Sequence, residues 1–144
     1  MPKRILFTAI LCGLFNACLG DDIARIKINP GDKVVFNFSG GGTLARFFVE
    51  DITADHNSKF NNQIVWEITP VKSRLEGRWV FDIESIEYGK IPDGYKQILP
   101  SDGAAPKLHD GQYMAMPETV SAGYRPVFFT IKNGIVLAAE SQKD

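Results

Sequence analysis

Val127-Phe128-Phe129-Thr130-Ile131-Lys132 runs into Asn133-Gly134 and continues as Ile135-Val136-Leu137-Ala138-Ala139. Two runs rich in branched and aromatic residues flank the dipeptide that best tolerates positive φ at both centres of a tight turn. That is the sequence form of a two-residue hairpin with a type I′ turn. The stretch predicts two antiparallel strands near the end of the chain, and its period of two guides the reading of what precedes it.

Upstream the same period recurs. Ala24, Ile26 and Ile28 alternate with Ile23, Arg25 and Lys27. Asn29-Pro30-Gly31-Asp32 then turns the chain, since Pro presets φ and Gly accepts positive φ. Val34, Phe36 and Phe38 share one face of the next run, and Ser39-Gly40-Gly41-Gly42 reads as a hairpin loop after it. Residues 44–52 form a third strand and residues 55–62 a polar loop. Ile64, Trp66 and Ile68 face a core from a fourth strand, which Pro70 stops. Trp79, Phe81 and Ile83 predict a further strand facing the core. Ile86 and Tyr88 lie on the opposite parity, so a bulge near Glu84-Ser85 is expected to restore the facing. No segment keeps a helical period, and residues 71–77 have room for one helical turn at most.

Seven or eight short strands between Gly, Pro and Asn turns predict an all-β, immunoglobulin-like antiparallel β-sandwich. A buried Trp in a mid-chain strand suits it. So does Leu108-His109-Asp110-Gly111-Gln112-Tyr113, which resembles a tyrosine corner, where a Tyr entering a strand hydrogen-bonds back to the loop before it.

The first twenty residues, MPKRILFTAILCGLFNACLG, have a different character. Lys3 and Arg4 precede an apolar stretch that is long enough for a signal peptide and too short for the ~20 residues that span a bilayer. Cleavage after Gly20 is one reading. The other takes Phe15-Asn16-Ala17-Cys18 as a lipobox, in which Ala17 and Cys18 fit the usual pattern while Phe15 and Asn16 depart from it. The chain has 2 cysteines, Cys12 and Cys18, both in this leader. Residues 21–144, a single domain by length, therefore hold no disulfide and fold by packing alone. Cys18 has no structural partner there, which favours acylation and a stable membrane anchor. A periplasmic lipoprotein of the bacterial envelope is the expected location.

Charge narrows the partners. Lys and Arg number 16 against 17 Asp and Glu, and Lys3 and Arg4 leave with the leader. The mature domain is mildly acidic, so nucleic acid is not an expected partner. The end, Ser141-Gln142-Lys143-Asp144, reads as frayed.

The long connection YGKIPDGYKQILPSDGAAPKLHDGQY, residues 88–113, is uncommon for a compact domain and of a length often functional. Its packed reading is a strand connection with one short edge strand at residues 95–99. Its recognition reading puts Ile91, Pro92, Tyr95 and Tyr113 against a partner, since Tyr offers large contact area at low entropic cost. The pattern Tyr-Gly-x-Ile-Pro-x-Gly-Tyr-x-Gln, followed by spaced Pro, Gly and Tyr, resembles one found in small exported bacterial proteins and lipoproteins of unknown function. That resemblance implies an immunoglobulin-like sandwich and an envelope location, and no reaction.

No catalytic motif stands out. His56 and His109 are the only histidines, with Asp51, Asp55 and Asp110 near them in sequence; a zinc site needs three or four ligands at suitable spacing. There is no nucleophile elbow. The three glycines at 40–42 lack the Lys-Ser/Thr of a phosphate loop. Asp82 and Glu84 share one face of the expected strand, a pairing common on solvated surfaces. No metal or cofactor is expected. The expectation is a non-enzymatic binding or structural module whose partner is an envelope protein, a toxin it neutralises or a glycan. The alternative is an envelope hydrolase acting on glycan or peptide through His109, Asp110 and a strand carboxylate.

Overall fold

A computed structural model describes residues 23–53 and 63–142. Among these residues, ten strands and two short helical turns follow in order: β1 (Arg25–Ile28), β2 (Val35–Ser39), β3 (Thr43–Asp51), β4 (Gln63–Pro70), the expected single helical turn (Arg74–Glu76), α1 (Val80–Ile83), β5 (Ser85–Glu87), β6 (Tyr95–Leu99), β7 (Gly111–Val120), β8 (Val127–Lys132), β9 (Ile135–Val136) and β10 (Ala139–Glu140). They make two antiparallel sheets, β10-β1-β2-β5 and β6-β4-β3-β7-β8-β9, packed as a sandwich. The pairing of β2 with β5, and of β3 with β7 and then β8, reproduces the B–E and C–F–G pairings of the immunoglobulin sandwich. The strand count exceeds the expected seven or eight because β9 and β10 each occupy only two residues.

Each sheet turns one side-chain row inward. Ala24, Ile26, Ile28 and Phe36 come from the smaller sheet, and Phe47, Val49, Trp66, Ile68, Val127 and Phe129 from the larger. Aromatic rings link edge-to-face through this core: Phe129 to Phe36 (5.8 Å), Phe36 to Phe47 (5.0 Å), Phe47 to Trp66 (6.0 Å) and Trp66 to Tyr88 (5.3 Å). Edge-to-face packing sets the positive ring edge of one against the negative face of the next. Asn133 (φ 54°) and Gly134 (φ 73°) form the expected hairpin turn. The tyrosine corner is present: the Tyr113 hydroxyl donates to the His109 carbonyl (2.9 Å) and accepts from the His109 N–H (3.1 Å).

Four expectations need correction. Residues 79–83 are not a strand. Val80 and Ile83, three apart, are buried on one side of the single turn α1, while Trp79 and Phe81 face outward. Five residues hold both spacings, and tertiary bonds select the helical one: Leu44 N–H donates to the Arg78 carbonyl (2.9 Å) and Val80 N–H to that of Gly42 (2.9 Å). The change of facing before Ile86 comes from Glu84 at φ 59°, ψ −62° and not from a bulge. The glycines at 40–42 join β2 of one sheet to β3 of the other, so they form an arch between sheets and no hairpin. Ser141 is not frayed. It is buried, its N–H donates to the Ile26 carbonyl (2.8 Å), and its hydroxyl accepts from Ile26 N–H (3.0 Å) and donates to the Arg125 carbonyl (3.2 Å).

The two ends of the sandwich differ. At one end Ile23 leads into Ala24, which bonds to Gly123 and Arg125 and bridges to Tyr124. Gly40 lies against the Ile23 carbonyl, and Thr43 pairs with both Val120 and Trp79. At the other end lie the β1–β2 turn, residues 88–90, the loop 100–110 and the Asn133-Gly134 turn. These are two opposed ends because β3 starts at Thr43, opposite Val120, and finishes at Asp51, opposite Tyr113.

Candidate functional site

At the end away from Ile23, four separate segments enclose an open cleft of about 500 Å³. Val34, Ala105, Leu108, Ile131 and Val136 give it apolar walls. Three lysines, Lys33, Lys90 and Lys107, stand on it against two carboxylates, Asp32 and Glu87. Glu87 lies between two of them, 2.7 Å from Lys90 Nζ and 3.7 Å from Lys33 Nζ. The hydrogen bond from Lys90 is the main reason its carboxyl sits below the usual range. Both lysines are largely exposed, so these pairs add little to stability and stay free to exchange partners.

The long connection builds one wall, and it is pinned. Trp66 Nε1 donates to Gln97 Oε1 (3.0 Å), and Gln97 Nε2 donates onward to the carbonyls of Pro100 (2.8 Å) and Gly103 (3.0 Å). The Tyr88 hydroxyl donates to the Pro106 carbonyl (2.8 Å), and burial pushes its pKa up. Asp110 accepts from the N–H groups of Gly134 (2.9 Å) and Asn133 (2.7 Å), which hold its carboxyl below the ordinary aspartate value. The loop is thus tied to core, corner and hairpin while residues 101–104 remain at the surface.

The four residues expected to bind a partner divide. β6 is the expected edge strand, and Tyr95 on it is buried. Its hydroxyl donates to the Leu44 carbonyl (2.9 Å) and accepts from Arg78 N–H (3.0 Å). Tyr113 is buried in the corner described above. Both side chains hold the fold. Ile91 is 48% exposed and Pro92 partly so, on the crossover from β5 to β6. The cleft lysines were missed because their segments are far apart in sequence; only Lys33, directly after a Pro-Gly turn, lay beside a recognised signal.

The two carboxylates that share a face in the sequence do not join the histidine of the cleft end. His109 and Asp110 lie at the cleft end, with Asp110 occupied by the hairpin. Asp82 and Glu84 follow Trp79 at the other end. His56, Asp55 and Cys18 lie outside the described residues. Among the described residues, no three His, Cys, Asp or Glu side chains come together, and no helix is long and apolar enough to cross a membrane.

A second surface was also not foreseen. On the outer face of the larger sheet, Arg46 reaches Glu67 with two bonds (2.7 and 3.2 Å) and Glu118 with one (3.1 Å), and Arg74 joins Glu118 (3.1 Å). The Arg46 guanidinium lies 4.2 Å over the Phe48 ring. Hydrogen bonding to Glu67 is the main cause of the rise in its pKa. No protein-family model, curated protein or solved structure matches the chain.

Proposed function

We propose that the chain is an exported, lipid-anchored, non-enzymatic binding module of the bacterial envelope, which takes an envelope protein or glycan in the cleft. The observation that supports this is the separation of the two ends. Ile23, five residues after Cys18, lies at one end of the sandwich, and the lysine-rimmed cleft opens at the other. A domain tethered by Cys18 would present that cleft away from its anchor. Apolar walls beneath a rim with more lysines than carboxylates suit a partner with an apolar body and anionic groups.

A photo-crosslinking residue in place of Lys107, in cells expressing the full chain, is expected to trap a macromolecular adduct. The same residue in place of Phe128, on the outer face of the larger sheet, is expected to trap none. Adducts from Phe128 alone would move the site to that face. Recovery of the protein in the cytoplasmic fraction would overturn the envelope reading.

A further inference from the structure

The end of the sandwich that receives the chain from Cys18 also carries exposed aromatic rings. Trp79 is 50% exposed, Phe81 62% and Tyr124 42%. The Trp79 and Phe81 rings lie 6.0 Å apart at 31°, side by side on the outside of α1. They are held there by backbone: Trp79 pairs with Thr43, Val80 N–H donates to Gly42, and Val80 and Ile83 are buried beneath. Tyr124 sits opposite Ala24, next to Ile23, where the described chain begins.

We propose that this end is seated on a lipid bilayer, with Trp79, Phe81 and Tyr124 at the level of the headgroups. Three arguments carry the inference, which rests on the lipid-anchor reading for the first of them. The five residue steps from Cys18 to Ile23 reach at most roughly 18 Å when fully extended. That is shorter than β3, whose nine residues span roughly 30 Å, so the tether holds this end, and not the cleft end, against the membrane. Trp and Tyr are the side chains that favour the membrane–water interface, where an apolar ring meets a wet polar edge. The surrounding segment is charge-balanced: Lys72, Arg74 and Arg78 face Glu76, Asp82 and Glu84 in number. Docking therefore needs no anionic lipid and changes little with salt.

The two tryptophans make the test direct. Trp66 is fully buried and Trp79 half exposed, so contact with lipid reports through Trp79 alone. The full chain is expressed in a bacterium, purified from its membranes and reconstituted in phosphatidylcholine vesicles, with and without bromine on the upper acyl carbons. The N-terminus is read by mass spectrometry on the same sample. The expected result is a blue shift of emission on reconstitution and quenching by the brominated lipid, at low and high salt. Both are expected to be lost in Trp79→Phe, which leaves Trp66 emission in place as a control for folding. Acylated Cys18 with unshifted, unquenched Trp79 overturns the docking and leaves the anchor standing. A non-acylated chain whose Trp79 is still quenched by added vesicles supports the docking and removes the anchor. A blue shift that depends on protein concentration without vesicles overturns the proposal in favour of a second copy of the chain.

Discussion

Two tyrosine hydroxyls at residues 95 and 113 each bridge a backbone donor and a backbone acceptor, and each belongs to a buried side chain. Leaving a buried polar group unpaired costs about 1–3 kcal/mol. Tyr95→Phe strands the Leu44 carbonyl and the Arg78 N–H together, so urea denaturation is expected to show a loss of that order. Ile91→Ala, on an exposed side chain of the same connection, is expected to move the midpoint hardly at all. Sequence alone placed these two residues in one patch, because a Tyr in a long loop has the same letter whether its ring faces solvent or the core. Asp110 gives a pH signature. Its carboxyl is held below the ordinary value of about 3.9 by two N–H groups of the hairpin turn. A depressed carboxylate stabilises the fold above its unfolded pKa and loses that contribution as pH falls through its folded one. The melting-temperature gap between the native protein and Asp110→Ala should therefore be constant at neutral pH and narrow only below about pH 4. A gap that narrows near neutrality would assign the effect to another group.

Elements with one buried face were legible, and elements decided by a tertiary bond were not. The alternation in β1 and β8 maps directly onto their buried rows, since one face of each strand must leave water. The turn α1 was misread because five residues cannot distinguish a period of two from a spacing of three, and the bonds from Leu44 and Val80 that decide it come from elsewhere in the chain. That error hid the exposed ring pair of Trp79 and Phe81. The cleft was equally invisible, being assembled from four separated segments. The loop on its wall depends on one side chain: Gln97 accepts from the Trp66 indole and donates to two loop carbonyls. Gln97→Leu is expected to speed amide exchange across residues 101–108 and to cost about 1–3 kcal/mol through the stranded indole N–H. Unchanged exchange there would mean that the Tyr88 and Tyr113 bonds suffice to hold the loop.

At the scale of the whole molecule, a domain with no cysteine after residue 18 owes nothing to disulfides. Its melting temperature is expected to be the same with and without reductant, and a fall on reduction would show a covalent link between chains. Stability then rests on closing the sandwich, and the closing strand lies far along the chain from the one it meets. β10 pairs with β1 through Lys27–Glu140 and Ile28–Ala139, and Ser141 fastens Ile26 on one side and Arg125 on the other. β1 is thus completed by a residue 115 positions further along the chain. This seam works as a clasp. The smaller sheet stays short of an edge strand until both of its distant halves are in place, so the two extremes of the described chain close it together or not at all.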